Sequence, residues 1–402
     1  MTLKRCALLG AEGRMDMVGV GGCRYYIPSL NLLGAGCVGE IRREARILGG
    51  KRALVVASRG EVGEAQAAQI GELLREGGVD SVSFCEAVPN PTVDVAVRGA
   101  EAFRAGDCDL LVAVGGGSAI DSAKAVGILV SNGGNLRDYE GYGRVAVPLP
   151  RLVAISTTAG TGSEVTQFAV VSDDRDHSKF TITDWRLTPC VSVNDPEMML
   201  SMPPSLTAAT GMDALTHGVE ALLSTGATPI TDGKAFKAVQ LIRRNLPRAV
   251  QKGEDLEARE GMCYGSFLAG TAFNNAGLGL THAMAHPLGG LYNLPHGLCN
   301  ALLLPHVARF NLDASPLKMG EVALALGVGK GWHSERENGE AAVRDLFALA
   351  REVGIPSGLS SVGVRAEDLP GLAEEAMQEA IGATNPRPYT REQVLALYRE
   401  AL

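Results

Sequence analysis

The stretch Leu110-Leu111-Val112-Ala113-Val114-Gly115-Gly116-Gly117-Ser118 decides the fold of this chain. Its five leading apolar residues predict a buried strand, and the glycines after them open a run that is typical of a helix. Backbone N–H groups at the positive end of a helix can hold a phosphate, and the missing Cβ atoms let the phosphate approach. This order of strand, loop and helix favours a phosphate site over the alternative, a tight turn that needs glycine only for a positive φ.

Alternating strand and helix signals extend from about residue 50 to residue 195, which predicts a parallel sheet with crossover helices. Predicted strands cover 53–57, 81–84, 110–114 and 152–155, and predicted helices cover 61–76, 93–105 and 118–129. From about Pro203 onward the strand signals nearly vanish, and amphipathic runs predict helices at 205–225, 231–250, 255–275, 298–312, 338–353 and 391–402. The expected fold class is α/β plus all-α. An α/β dinucleotide-binding domain over 1–202 precedes an all-helical domain over 203–402, and Pro203-Pro204 is the sharpest boundary signal.

Composition excludes several classes of protein. Hydrophobic residues make up 46% of the 402 residues, enough to build substantial cores, so a disordered chain is excluded. The net charge of −8 offers no basic surface to a nucleic acid, and no apolar run approaches the roughly 18 residues of a membrane-spanning helix. The eight cysteines are scattered without regular spacing, as expected of reduced thiols in a cytoplasmic protein.

Two further loops compete for the phosphate role. Thr157-Thr158-Ala159-Gly160-Thr161-Gly162-Ser163 follows another predicted strand, and its hydroxyl groups can bond a pyrophosphate or a ribose, unless it is an ordinary Thr/Ser turn. Gly34-Ala35-Gly36-Cys37-Val38-Gly39 spells GxGxxG, but the next strand ends at Ser58, where an NAD site would place a carboxylate. We therefore interpret 34–39 as a structural turn and expect a dinucleotide at the other two loops.

Histidine positions give the strongest chemical signal. Asp213 and His217 lie four residues apart and so project from one face of a helix, and His282 and His286 repeat that spacing. His296 follows on a predicted turn, Leu294-Pro295-His296-Gly297. A single histidine is more often a hydrogen-bonded core residue, but two such pairs in a chain with seven histidines favour a metal site. Three imidazoles and one carboxylate suit a divalent transition metal. We expect no special role for His177, His306 and His333.

A phosphate-binding loop and a metal site in one chain together indicate hydride transfer. A metal makes a bound alcohol lose its proton more easily, and a nicotinamide accepts hydride from the same carbon. The alternative is a metal- or nucleotide-binding module without enzymatic activity, which would bind its cofactor tightly and turn over no alcohol.

A series of segments occurs in one order along the chain: Asn90-Pro91-Thr92, 115–118 with Asp121 and Lys124, 157–164, Asp195-Pro196, 211–217, 282–289, Pro295-His296-Gly297 and Asn385-Pro386-Arg387-Pro388. In this series the sequence strongly resembles the iron-containing (group III) alcohol dehydrogenases, over about nine tenths of its length from Asn31 onward.

The resemblance implies a Rossmann-like first domain, a helical metal-binding second domain, and a homodimer or larger homo-oligomer. It implies iron(II), with zinc(II) as a common substitute, held by Asp213, His217, His282 and His296. His286 matches a position beside nicotinamide and substrate, and we expect it to relay a proton. The positions that match cofactor contacts are Asn90, Gly116, Gly117, Ser118, Asp121, Thr157, Thr158, Thr161, Ser163, Lys179 and Met198.

The activity implied by the resemblance is that of a metal-dependent NAD(P) alcohol dehydrogenase or aldehyde reductase acting on a small primary alcohol or diol. The alternative is a glycerol or polyol dehydrogenase or a sugar-phosphate relative of the same fold, although those relatives lack the 282–296 pattern.

Two departures from the family pattern stand out. About twenty residues precede the usual start, so 1–21 are expected to be an extension or to reflect an upstream start codon, with Met15 and Met17 as later candidates. Ser58-Arg59 stands where many members have Asp. Ser58 is expected to face the ribose, and it leaves both NAD and NADP open as cofactors.

Overall fold

The structure is a computed structural model, and it describes residues 7–9, 15–17, 23–173 and 178–402. His177 and most of the predicted extension at 1–21 lie outside the described residues. Contacts divide the chain into two compact units. The first comprises Met1–Thr158 and Gly162–Met199, and the second comprises Ala159–Thr161 and Leu200–Leu402.

The first unit alternates strands and helices. Its strands are β1 (Ala7–Leu9), β2 (Met15–Met17), β3 (Leu30–Leu33), β4 (Arg52–Ser58), β5 (Asp80–Ala87), β6 (Leu110–Gly115), β7 (Gly141–Tyr142), β8 (Arg151–Ser156), β9 (Phe168–Ser172), β10 (Lys179–Thr183) and β11 (Val191–Asn194). Its helices are α1 (Ile41–Ile47), α2 (Glu61–Glu76), α3 (Val93–Ala105) and α4 (Gly117–Asn132).

Six of these strands form a parallel sheet in the order β3-β11-β8-β6-β4-β5. The chain runs outward from β4 to β5 and then returns to β6 on the other side of β4. In sheets of this kind, ligands bind where the strand order reverses, beyond the carboxyl ends of the strands. Those ends are Ser58 on β4 and Gly115 on β6. Two smaller sheets, β1-β2 and β7-β10-β9, complete the described strands.

Both faces of the main sheet are covered by helices, which explains the continuous apolar runs of its central strands. On β4, Leu54 and Val56 pack with apolar side chains of α3 and α4. The alternate residues Val55 and Ala57 pack with α1 and α2 on the opposite face. Side chains of period two therefore build two cores, one on each side of the sheet.

The second unit is helical. Its helices are α5 (Pro204–Leu223), α6 (Pro229–Gln251), α7 (Leu256–Ala276), α8 (Leu280–Tyr292), α9 (His296–Leu312), α10 (Pro316–Ala325), α11 (Glu335–Glu352), α12 (Leu369–Gln378) and α13 (Arg391–Ala401). Proline opens α5, α6 and α10, where its missing N–H group costs no helical hydrogen bond. Capping boxes at Thr228, Ser334 and Thr390 fix the starts of α6, α11 and α13. Within this unit α5 packs against α6, α7 and α9, and α8 packs against α9 and α12.

The predicted fold class, α/β plus all-α, is confirmed. Helices α2 and α3 have the predicted bounds. The sequence did not predict β3 and β11, which are only four residues long, or the short helices α10 and α12. The expectation that His296 lies on a turn is wrong, because His296 is the first residue of α9. Proline is favoured at the start of a helix, and Pro295 directly precedes this one.

Candidate metal and nucleotide sites

Three helices of the second unit bring the predicted metal ligands together. Asp213 and His217 lie one turn apart on α5, His282 lies on α8, and His296 opens α9. One donor atom from each of Asp213, His217 and His282 lies within 4.8 Å of the others. His296 Nε2 lies 3.7 Å from Asp213 Oδ1, and 40% of the His296 side chain is exposed. The cluster is thus buried on three sides and open at His296.

Hydrogen bonds fix the tautomers of two imidazoles. His217 Nδ1 lies 3.2 Å from the carbonyl oxygen of Gly160, and His282 Nδ1 lies 2.6 Å from Glu220 Oε2. Since these oxygens accept, each Nδ1 carries the proton and each Nε2 keeps its lone pair. His217 Nε2 lies 4.0 Å from Asp213 Oδ1. A neutral imidazole with a free Nε2 is the form that binds a metal.

The distances suit a divalent cation. Two ligands about 2.1 Å from one ion lie roughly 3.4 Å apart in tetrahedral geometry, and further apart at wider angles. The separations of 3.7 Å and 4.0 Å around Asp213 Oδ1 lie in this range. The residues present therefore fit iron(II) or zinc(II) by donor type, and the two pairs formed with Asp213 also fit by spacing.

Electrostatics favour the same state. Burial lowers the pKa of His282 well below its usual value, and the neighbouring His217 acts in the same direction. Burial by itself raises the pKa of Asp213, but charge interactions with the imidazoles in their protonated forms and the hydrogen bond from Asn300 bring it below its usual value. His282 is therefore neutral and Asp213 is ionised at neutral pH, which is the combination that a metal requires.

Glu220 is a candidate functional residue that the sequence analysis missed. Its buried carboxylate accepts hydrogen bonds from the backbone N–H groups of Gly279 at 3.0 Å and Thr281 at 2.7 Å, as well as from His282 Nδ1. Burial raises the pKa of Glu220, while these bonds oppose that rise. Glu220 thus orients His282 and ties the start of α8 to α5. Its position one turn after His217 was the available signal.

Close approach of α9 to α5 depends on Gly297. A Cβ atom at this position would lie 2.4 Å from the carbonyl oxygen of Ala209 and 3.1 Å from Asp213 Cβ. A larger residue would push the first turn of α9 away from α5. The glycine therefore allows the adjacent His296 to reach the cluster.

His286 lies beside the cluster, one turn after His282. Its ring centroid is 5.5 Å from that of His296, and its Nδ1 is 2.9 Å from Glu379 Oε2. Of the Glu379 side chain 34% is exposed, compared with 19% for His286. The sequence analysis also missed Glu379, which lies 93 residues away along the chain.

In the first unit the two predicted phosphate loops lie side by side. Gly115 at the end of β6 pairs with Ser156 at the end of β8, and Thr157 N donates to the Gly115 carbonyl at 3.0 Å. Within the described part of the chain, no side chain caps the start of α4 at Gly117. A Cβ atom at Gly116 would lie 3.3 Å from Thr158 Cγ2. The Thr158 hydroxyl is buried without a hydrogen-bond partner among the described residues, so it keeps bonding capacity for a nucleotide.

Asp121 and Lys124 of α4 bond to the second loop and to the segment that follows it. The Ser163 hydroxyl donates to Asp121 Oδ1 at 2.7 Å. Lys124 Nζ donates to the backbone carbonyls of Thr166 at 2.9 Å and Phe168 at 2.7 Å. Two residues that were predicted to contact the cofactor, Asp121 and Ser163, thus bond each other.

The remaining predicted cofactor contacts are distributed over both units. Ser58 Oγ would lie 3.3 Å from a Cβ atom at Gly115, so it adjoins the first loop. Lys179 Nζ donates to Asn90 Oδ1 at 2.8 Å. Met198 packs in the apolar core that contains residues of α1 and α2. Thr161 belongs to the segment Ala159–Thr161, which clusters with the helical unit.

The backbone amides of the loop at 34–39 already bind a carboxylate of the protein, that of Asp195. Gly36 N and Val38 N donate to the two carboxylate oxygens of Asp195, at 3.2 Å and 3.0 Å. These amides are the groups that a bound phosphate would need. This contact agrees with the interpretation of 34–39 as a structural turn.

Comparisons with known proteins agree along nearly the whole chain. The model for iron-containing alcohol dehydrogenase matches residues 28–196, and the model for the C-terminal part of the Fe-containing alcohol dehydrogenase family matches residues 207–402. 1,3-Propanediol dehydrogenase of Citrobacter freundii is 45% identical over 380 residues, covering 94% of this chain and 98% of that protein. Alcohol dehydrogenase 4 of Schizosaccharomyces pombe is 44% identical, covering 94% and 89%. A crystal structure of 1,3-propanediol oxidoreductase matches with a TM-score of 0.93 at 43% identity, covering 95% and 100%.

A doubly wound parallel sheet with two glycine-bearing loops, in one chain with a helical Asp/His cluster, defines a metal- and nicotinamide-dependent oxidoreductase. The chain belongs to the iron-containing alcohol dehydrogenase family. The resemblance is confirmed, and with it the expected class, an oxidoreductase that acts on alcohols and aldehydes with NAD(P) and iron. The roles assigned to individual residues remain predictions.

Replacing Glu220 should weaken metal binding. Glu220→Gln keeps the shape of the side chain but removes its charge, so it holds the His282 Nδ1–H group less firmly. We expect metal affinity to fall by about 10- to 100-fold, measured by competition with a chelator. Glu254→Gln, on an exposed residue of the same unit, serves as the control. Equal affinities for wild type and Glu220→Gln would contradict the role of Glu220.

Proposed function

We propose that this enzyme interconverts a small primary alcohol or diol and its aldehyde, with hydride passing between the substrate carbon and NAD(P). Residues 1–202 would bind the dinucleotide, and residues 203–402 the metal and substrate. The observation that carries the proposal is the convergence of His217 and His282, each with an unprotonated Nε2, on the buried Asp213 carboxylate. The exposed part of His296 leaves access for a small molecule.

Asp213, His217, His282 and His296 would hold iron(II) or zinc(II). When bound, the metal supplies the positive charge that eases loss of the hydroxyl proton, and NAD(P) supplies the hydride acceptor. The donor set has one carboxylate and three neutral imidazoles, so it leaves part of a divalent charge uncompensated. A second carboxylate among the ligands would remove that advantage. The Glu220 carboxylate does not join the ligand set, because it bonds to His282 Nδ1 instead.

His286 and Glu379 would carry the proton of the substrate hydroxyl. The Glu379 carboxylate accepts from His286 Nδ1, so His286 Nε2 is free to take a proton. An imidazolium formed in this way is stabilised by the carboxylate beside it. Glu379 is partly exposed, and it offers the proton a path to solvent.

The loops at 115–118 and 157–158 would hold the phosphates of the dinucleotide. Ser58 lies next to the first loop at the point where the sheet order reverses, and the following Arg59 is exposed. Neither side chain repels a 2′-phosphate, and a guanidinium can pair with one. We therefore propose that NADP(H) is accepted as well as NAD(H).

A homodimer or larger homo-oligomer and a cytoplasmic location are part of the proposal. The oligomer rests on the family resemblance. The seven cysteines of the described residues are all free thiols, as expected in a reducing compartment. In the described part of the chain, no helix is both long enough and apolar enough to cross a membrane.

Metal removal should abolish turnover. Treatment with a chelator is expected to stop oxidation of C2 to C6 alcohols and diols, and iron(II) or zinc(II) should restore it. Elemental analysis gives the metal content, and absorbance of the reduced nicotinamide gives the rate. Glycerol and sugar phosphates in the same panel test the polyol alternative. Full activity in metal-free protein would contradict the proposal, and tight cofactor binding with no alcohol turned over would indicate a binding module.

His286→Ala should retain most of the metal and lower kcat. The expected loss is roughly tenfold to ten-thousandfold, because only proton transfer is impaired. His282→Ala should lose the metal itself. His306→Ala provides a second control, since His306 faces Glu400 and Phe347. The relay role is wrong if His286→Ala loses its metal as completely as His282→Ala does.

Ser58→Asp should shift cofactor preference toward NAD(H). A carboxylate can accept hydrogen bonds from the ribose hydroxyls and repel a 2′-phosphate. The ratio of kcat/KM for NAD(H) to that for NADP(H) is expected to rise by about 1 to 3 kcal/mol in free-energy terms. Ser58→Ala, which adds no charge, should change the ratio much less. A wild type inactive with NADP(H), together with an unchanged ratio in Ser58→Asp, would show that Ser58 does not face the ribose.

A further inference from the structure

Asn300 lies among the proposed metal ligands although nothing in the sequence marks it as one. It is on α9, one turn after His296, and it is fully buried. Its Nδ2 lies 2.7 Å from Asp213 Oδ1 and 3.1 Å from the Nε2 atoms of both His282 and His296. One carboxamide nitrogen thus faces donor atoms from three of the four ligands.

Two fixed acceptors face the two hydrogens of the Asn300 carboxamide. They are Asp213 Oδ1 and the lone pair of His282 Nε2, whose tautomer Glu220 sets. Asn300 Oδ1 is buried without a partner among the described residues. Buried polar atoms are normally satisfied, so the contacts of Nδ2 with these ligand atoms offset the cost of burying the Asn300 amide at this point.

Asn338, a second buried asparagine of the same unit, has a purely structural set of hydrogen bonds. Asn338 uses both ends of its side chain on one residue: Oδ1 accepts from Lys330 N at 2.9 Å, and Nδ2 donates to the Lys330 carbonyl at 3.1 Å. Asn338 thereby closes a loop. The partners of Asn300 are instead Asp213, His282 and His296.

We propose that Asn300 is a positioning residue of the metal site. Its N–H group holds the Asp213 carboxylate facing the imidazoles, and it does so without adding a negative charge. The inference rests on the proposed function, since it takes the Asp213 cluster to be the metal site. A carboxylate that is free to rotate would have to be reordered on binding, which weakens affinity.

The test uses cobalt(II) titrated into metal-free full-length protein. The visible absorption of cobalt reports its ligand geometry without any need for turnover. Asn300→Leu has a similar volume but no hydrogen-bond donor. We expect its cobalt affinity to fall by about 10- to 100-fold and its absorption spectrum to change. Asn300→Ala repeats the test with a smaller side chain in case leucine prevents folding.

Asn338→Ala is the matched control, because it also removes a buried amide. It should lower Tm and leave cobalt affinity and spectrum unchanged. Folded Asn300 variants with wild-type affinity and spectrum would overturn the positioning role alone. Failure of both Asn300 variants to fold, with Asn338→Ala folded, would overturn it in favour of a structural role. A wild type that takes up no cobalt would overturn the metal site together with this inference.

Discussion

A carboxylate buried among helices costs free energy unless other groups compensate its charge, and Asp213 places this constraint at the centre of the helical unit. Compensation comes from α5 itself and from the first two turns of α8 and α9, whose imidazoles and carboxamide surround the carboxylate. Glu220 is a second buried carboxylate in this unit, and it accepts hydrogen bonds from the start of α8. Polar contacts as well as apolar packing therefore set how these three helices approach one another.

In the first unit, polar bonds hold the loops of an apolar sheet. Its strands are apolar and its helices cover both faces, but its loops must be held in place by polar bonds. Lys124 meets this need with a buried ammonium group that donates to the carbonyls of Thr166 and Phe168. Burial lowers the pKa of Lys124 to about 8, although Asp121 and Glu164 oppose that change. Helix α4, which begins at the glycine loop, thus holds the segment after β8 against the sheet.

Sequence patterns predicted the parts of this structure that depend on local periodicity. The run Leu110–Val114 reads as a strand buried on both faces, and the spacing of Asp213 and His217 places them on one side of a helix. Strands β3 and β11 were missed because each has only four residues, whereas the strands that were predicted have six to eight. Glu220, Glu379 and Asn300 were missed because each has partners that are distant along the chain, at separations of 62, 93 and 87 residues, and only the packed fold brings such groups into contact.

The four proposed ligands are far apart along the chain, since about eighty residues separate Asp213 from His296. An ion held by both would close this loop in the folded chain much as a covalent cross-link does. The coordination bonds would then help helix packing to offset the conformational entropy that the chain loses when it folds. The free energy of metal binding would become part of the free energy of folding, so the resistance of the helical unit to heat and denaturant would depend on the supply of metal ion in its surroundings.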